Sequence, residues 1–301
     1  HIERLLPVID EALETADIES GDLDVIAVGN RPGLIGSLLV GTTAAKTLAW
    51  LLGKPLIGVD HVRAHLYAAA LDDQPLEFPA LGLVVSGGHT SLYDMDGPLA
   101  MRPLGRTIDD AVGEAFDKVA AILDIGFPGG PAIDRLAKQG DPGAVKLPRT
   151  LLDRDSLDFS YSGLKTAVLY HVRGHPVRRG KEASFPREAS ELTEAGRADV
   201  AASFQTAAVD VLIAKLERAL DQLARAGAPP RALVIGGGVS ANSLLRQRAT
   251  EFGEAHDLAV RLPPMNLCVD NAAMIAGLAY HRLRDHRVDD LDLPAVATTE
   301  L

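Results

Sequence analysis

The chain has 301 residues, of which 47% are hydrophobic and 24% charged, and it carries a formal net charge of −11. That balance argues against a generic nucleic-acid binder, whose phosphate contacts need a surplus of Lys and Arg, and no run approaches the roughly 20 apolar residues of a membrane span. A single cysteine, Cys268, closes no intramolecular disulfide and builds no Cys-based zinc ribbon, so a cytoplasmic setting is expected and any metal must be held by His and carboxylate.

The sequence starts at His1 rather than Met, and Ile2, Leu5, Leu6, Ile9 and Leu13 already repeat at helical spacing. Asp24 to Gly29 reads as a strand, Asn30 to Gly36 as a turn, and Ser37 to Leu52 as a buried helix stopped by Gly53. A second strand, Pro55 to Val59, leads into a helix near Asp60. From Pro79 the pattern changes to a meander, with strands over Ala80 to Val85, Thr90 to Met95 and Leu99 to Leu104 and a helix over Asp109 to Leu123. A Gly/Pro loop, Phe127 to Pro131, follows, then several helices, the longest over about Arg197 to Arg225. The densest basic stretch, His171 to Lys181 with Arg173, Arg178 and Arg179, reads as a surface loop. Strand–turn–helix order returns with Arg231 to Ile235, Gly236 to Gly238 and Ser240 to Phe252, then a strand over Leu258 to Leu262 and a closing helix over Val269 to Leu283.

This order predicts an α/β protein of the actin, sugar-kinase and Hsp70 type, two lobes around a nucleotide cleft, with the first lobe incomplete. The boundaries expected are 1–79 for a partial first lobe, 80–285 for the second and 286–301 for a C-terminal tail. A first lobe without its own meander would leave exposed sheet edges.

Four features carry chemistry. His61 and His65 are four apart at a helix start, which puts both imidazoles on one face at metal-ligand spacing. A zinc protease would need Glu after the first His as general base, and Val62 stands there. The glycines of Val84-Val85-Ser86-Gly87-Gly88-His89-Thr90 would let backbone N–H groups approach an anion or ribose, although a plain hairpin explains them as well. Gly236-Gly237-Gly238 joins a strand to a helix N-terminus, the usual seat of a phosphate, and Asn242 offers an amide there. Asp270, before the last helix, is on its own an acidic residue favoured near a helix N-terminus.

Read together, the motifs resemble the tRNA N6-adenosine threonylcarbamoyltransferase family, formerly described as sialoglycoprotein endopeptidases, along nearly the whole chain. The resemblance rests on ordered blocks: Pro32-Gly33-Leu34-Ile35-Gly36, His61-Val62-Arg63-Ala64-His65, Val84 to Thr90, Asp109 to Lys118, Phe127 to Pro131, Asp158 to Thr166, Gly237 to Asn242 and Cys268-Val269-Asp270-Asn271. It implies that His61, His65 and Asp270 bind one divalent metal, iron first and zinc second. It also implies that Val84, Val85, Ser86, Gly87 and Gly88, with Asp117, Gly130, Asp134 and Asn242, hold the nucleotide part of the substrate. The reaction implied is transfer of threonylcarbamoyl from threonylcarbamoyl-AMP to the exocyclic amine of adenosine 37 in tRNAs reading ANN codons. The implied partners are tRNA, an actin-like paralogue and a small P-loop ATPase, with no membrane. The Phe159 to Thr166 segment is expected to border the cleft, with Lys165 either a phosphate or tRNA contact or a surface residue of a structural turn.

The sequence departs from the family pattern in three places. The family's opening strand with its Gly-Ile-Glu-Thr-Ser-Cys-Asp-Glu-Thr-like segment, which supplies an acidic residue near the nucleotide, has no match here, so the chain reads as a version truncated at its N-terminus, a fragment, and its catalytic residue is unassigned. Asn30-Arg31 replaces small residues before Pro32, and the tail from Asp289 to Leu301 lacks a basic, aromatic ending. Three other readings stay open at this level: a carbamoyltransferase of the same fold acting on a small-molecule hydroxyl, a sugar kinase, and an inactive scaffold paralogue.

Overall fold

Each strand expected from the sequence forms in the computed structural model of the chain, which describes residues 2–72, 74–179 and 182–298. The first part contains α1 (Ile2–Ala16), β1 (Ile26–Arg31), α2 (Ile35–Leu52), β2 (Leu56–Asp60) and α3 (His61–Tyr67), with β1 and β2 paired in parallel. The second opens with the meander β3 (Ala80–Val85), β4 (Thr90–Met95) and β5 (Met101–Arg106), then α4 (Val112–Leu123), α5 (Gly129–Ala137) and α6 (Ser162–Arg173). After the hairpin β6 (Val177–Arg179) and β7 (Glu182–Ser184) come α7 (Glu194–Arg225), β8 (Ala232–Gly236), α8 (Ser243–His256), β9 (Ala259–Arg261) and α9 (Ala272–Arg284). The large sheet runs β5-β4-β3-β8-β9, antiparallel in the meander and parallel from β3 to β9.

The two faces of this sheet bury different cores, as period-2 alternation requires. Leu81, Leu83 and Val85 of β3 point into the larger core with Phe116, Phe159, Phe204 and the apolar side of α7. Ala80 and Val84 point the other way, into a core shared with Ile57 and Val59 of β2, Val62 and Leu66 of α3, and Met274 and Leu278 of α9. Helix α3 is therefore clamped between the two sheets, and that clamp positions the candidate metal ligands.

Several expectations change in detail. Helix α5 begins at Gly129, inside the segment expected to be a Gly/Pro loop. Proline is tolerated in a first turn because the N–H it lacks has no intrahelical partner there, so Pro131 does not break it. The basic stretch is not a loop throughout: His171 and Arg173 end α6, and Val177–Arg179 pairs with Glu182–Ser184. Lys181, like His1 and residues 299–301 of the tail, lies outside the described residues. The helix expected from Ser240 starts at Ser243, because residues 238–241 form one 3-10 turn first. The outer edge of β2 is not left open. The Asp289 N–H donates to the Leu56 carbonyl (2.8 Å), the Gly58 N–H donates to the Asp289 carboxylate (2.8 Å), and Arg282 donates to the Gly58 carbonyl. The C-terminal segment thus supplies partners that a third strand would otherwise provide.

Helix α2 has the length and mean hydropathy (1.4 over 18 residues) of a membrane span, unlike the sequence expectation, but it also carries Lys46 and docks through Thr42, Ala45 and Ala49. Its other side leaves Leu39, Trp50 and Leu51 more than half exposed, as Leu6 and Val8 are on α1.

Deep in α7, the fully buried Lys215 donates to the carbonyls of Leu151 (2.8 Å) and Ser156 (2.6 Å), fixing the loop that leads to Asp158. Burial, then the neighbouring Arg218, pushes the ammonium down to about 8. Between pH 8 and 10 the unfolded lysine still holds its proton while the folded one sheds it, so stability rises with pH from this group. Urea unfolding should therefore show wild type gaining on Lys215→Met by on the order of 1 kcal/mol across that interval. Parallel pH profiles for the two chains would refute this.

Candidate functional site

The site begins where β2 hands over to α3. The Asp60 carboxylate caps the helix by accepting from the N–H groups of Val62 (2.9 Å) and Arg63 (3.2 Å). Burial raises the Asp60 pKa despite those hydrogen bonds. One helical turn then aligns His61 and His65, their ring centroids 4.6 Å apart. From the opposite side comes Asp270, on the loop whose next residue, Asn271, caps α9 by accepting from the Met274 N–H (2.8 Å). One Asp270 oxygen lies 3.3 Å from Nε2 of both histidines. Its close contacts with His61 and then His65 outweigh partial desolvation and hold the Asp270 carboxyl well below the usual carboxylate range.

These three residues fit a divalent metal. Their donor atoms lie within 4.8 Å of one another, and donors about 2.0–2.2 Å from a common ion in tetrahedral array stand about 3.3–3.6 Å apart. His65 is only 1% exposed, and among the described residues neither ring nitrogen makes a well-formed hydrogen bond, the Nε2 having only its 3.3 Å contact with the Asp270 oxygen, an arrangement that an ion bound between them would complete. Two imidazoles and one carboxylate suit iron or zinc and leave coordination positions open.

The glycine segments pack directly behind this cluster. At Gly237, φ is +98°, and a Cβ would stand 2.5 Å from the Val85 carbonyl oxygen; at Gly236 a Cβ would collide with the carbonyl of His65 itself. The start of α4 is equally tight, since a Cβ on Gly113 would stand 2.5 Å from the Ser86 carbonyl oxygen. His65, the strand end and both glycine turns therefore share one backbone contact zone. Ser86 closes its own turn, its N–H donating to the His89 carbonyl (2.8 Å) and its Oγ accepting from the His89 N–H (3.1 Å). Gly87 and Gly88 are exposed with open space above them.

The remaining residues expected at the nucleotide fall into two groups. Val84 and Val85 are fully buried with their side chains in the two cores, so they can offer only backbone. Asp117 accepts from the Gly129 N–H (2.7 Å), which starts α5 beside Gly130, itself unobstructed. Asp134 is joined to α8, accepting from the Ser243 hydroxyl (2.6 Å) and N–H (3.1 Å). Asn242 is buried: its amide donates to Gln205 (2.8 Å) and its carbonyl caps α8 by accepting from the Leu245 N–H (3.0 Å). Those bonds aim the N-terminus of α8 beside the Gly236–Gly238 turn.

Lys165 donates to Asp110 (2.6 Å), which also takes a bond from Lys118 (2.7 Å), so its charge is balanced within the protein. Nearby, the Asp109 carboxylate gathers the Ser160 and Ser162 hydroxyls and the Tyr161 and Ser162 N–H groups. Burial would raise its pKa, but these bonds prevail and lower it. The residue missed by the substrate assignment is His89, directly after the glycine pair. Its imidazole is in electrostatic range of His61, His65 and Asp270, and burial, with the two histidines, lowers its pKa.

Parallel and antiparallel strands in this order, with a glycine-lined turn region beside α3, define a protein of the actin-like ATPase fold. Full-length HypF in a phosphate- and nucleotide-bound form is similar over 94% of this chain and 50% of that one, with a TM-score of 0.61 at 14% identity, which is likeness of fold. The family model TsaD, tRNA N6-adenosine threonylcarbamoyltransferase, matches residues 1–277. Proteins of that name are 46% identical over 296 residues in Moorella thermoacetica, covering 98% of this chain and 81% of the relative. The Trichlorobacter lovleyi relative is 48% identical over 301 residues, with 100% and 82% covered. The chain belongs to the tRNA N6-adenosine threonylcarbamoyltransferase family, transferases of tRNA modification.

Proposed function

We propose that the chain transfers threonylcarbamoyl from threonylcarbamoyl-AMP to N6 of adenosine 37 in tRNAs reading ANN codons, using one divalent metal, iron or zinc. The observation that carries this reading is the shared contact zone, in which the His65 carbonyl abuts the glycine turn at Gly236 and that turn abuts Val85. A ligand group bound by His61, His65 and Asp270 would thereby lie next to an anion seat. The new bond joins N6 to the carbamoyl carbon; the bond from that carbon to the phosphate oxygen breaks, AMP leaves with the electron pair, and N6 loses one proton. When bound, the metal supplies positive charge for the departing phosphate.

The protein's own groups orient and neutralise. Backbone N–H groups of Gly87 and Gly88 and the α8 N-terminus favour the phosphate, while Asp117 and Gly130 border the nucleoside. Asp134 and Asn242 act by locking α8 in place, and no nucleophilic Ser or Cys is required. The half-exposed apolar residues of α1 and α2 support a partner docked on the first lobe, here the actin-like paralogue, with the P-loop ATPase assisting in a cytoplasmic complex.

The test is incorporation of labelled threonylcarbamoyl from the pure adenylate into unmodified tRNA, with metal and both partner proteins present. Label on adenosine 37 with stoichiometric AMP is expected. Label appearing on a small hydroxyl acceptor instead, or on nothing, would overturn the assignment.

A further inference from the structure

Next to the metal ligands lies a cavity of about 460 Å³ to which no role has been given, walled by the inner end of β4, by β5 and by Pro32 and Val62. Its volume is that of a site for a nucleoside-sized molecule rather than for an ion. Three groups face it with hydrogen-bonding capacity left over. The half-buried His89 imidazole makes no hydrogen bond among the described residues, and it stands on the side of the cavity toward His61, His65 and Asp270. Tyr93 is 4% exposed; burial above all pushes its phenol up to about 12, and the Ser91 hydroxyl hydrogen-bonds its oxygen, so what it keeps for an occupant is the donor hydrogen of a neutral phenol. Asp158 spends one carboxylate oxygen on the Arg106 N–H (2.9 Å) and keeps the other. At the mouth, the exposed Arg106 guanidinium has no ion-pair partner among the described residues.

The occupant is identified by that chemistry. A flat heterocycle with ring acceptors and an exocyclic amine matches an imidazole, a phenol donor and a carboxylate acceptor, and Pro32 and Pro103 offer flat apolar flanks. A free cation at the mouth of a chain with net charge −11 suits a phosphodiester continuing from that heterocycle. Enzymes that act on a base of structured RNA take it out of its stack into such a pocket. We propose that this cavity receives the acceptor adenine of the RNA, with His89 hydrogen-bonding its amine edge beside the metal ligands and Arg106 contacting the adjoining phosphate. The inference rests on the transferase reading above.

The experiment uses the full chain with metal, partner proteins and an anticodon stem-loop RNA, either native or carrying 8-azidoadenosine at the acceptor position. Photolysis should cross-link that nucleotide to peptides containing residues 88–107. In the transfer assay His89→Ala should lower kcat by about 10- to 100-fold, His89→Gln should recover part of it, and Arg106→Ala should raise KM for RNA by about 10-fold with kcat kept. Metal content and calorimetric affinity for the donor adenylate should match wild type in all three, which a merely structural role for His89 would not leave intact. Cross-links outside the cavity, or variants with wild-type kinetics, would overturn this inference while leaving the transferase reading standing. A wild type that transfers nothing to RNA would overturn both.

Discussion

Replacing His65 with alanine is expected to abolish metal binding and, with it, at least about 1000-fold of the transfer rate. The imidazole is buried, and among the described residues its nitrogens make no well-formed hydrogen bond beyond the 3.3 Å contact of Nε2 with Asp270, so a bound ion would satisfy what the protein leaves incomplete. Wild type should therefore melt several degrees higher when Fe²⁺ or Zn²⁺ is added, by mass action, whereas His65→Ala should show no such shift. A second reading comes from cobalt: Co²⁺ bound by two imidazoles and a carboxylate gives a visible absorption band that the variant should lack. Metal retained at wild-type affinity by His65→Ala would falsify the assignment of the cluster, whatever the variant's activity.

Gly236→Ala is expected to damage both halves of the site at once. The added methyl has nowhere to go, because the obstruction is the His65 backbone carbonyl and not the end of a flexible side chain. Relief requires α3 to move away from β8, which disturbs the core shared by Val62, Leu66 and Val234 and should cost about 1–3 kcal/mol or more. The same displacement moves His65 away from Asp270. Chemical denaturation, metal content and adenylate affinity should fall together. Gly238→Ala is the control: a Cβ there meets nothing within 4 Å, and stability should be unchanged within about 0.5 kcal/mol. Loss of stability in Gly236→Ala with metal affinity intact would show that the contact supports the fold alone.

These expectations also show which parts of the molecule were legible in the sequence. The strands Ala80–Val85 and Thr90–Met95 were read with their observed ends, since each is a short apolar run bounded by Pro79 or by the Ser-Gly-Gly turn. The histidine pair was legible because helical spacing is local. Asp270 could be attached to it only through family resemblance, because 205 residues separate it from His65 and its approach depends on α9 packing against α3 and β2. The start of α5 was missed for the same reason. Its first N–H is satisfied by Asp117, 12 residues earlier on another helix, while the local Pro-Gly-Gly-Pro signals a break. Asn242 was assigned to the site, but its partner Gln205 lies on α7, and nothing near Asn242 in sequence reveals that the amide is already engaged. His89 was visible within its motif, but only the cavity beside it distinguishes it from a turn residue.

The unequal exposure of the three proposed metal ligands bears on how quickly an ion would exchange. His65 is 1% exposed and His61 27%, whereas the Asp270 side chain is 76% exposed and sits on a loop. Both imidazoles are fixed in advance by α3, so the carboxylate is the last ligand to close and the first to release. A chelator would reach the ion chiefly from that side. In the proposed metal-bound protein, the lifetime of the ion would then be set at Asp270, and its affinity largely at the histidines.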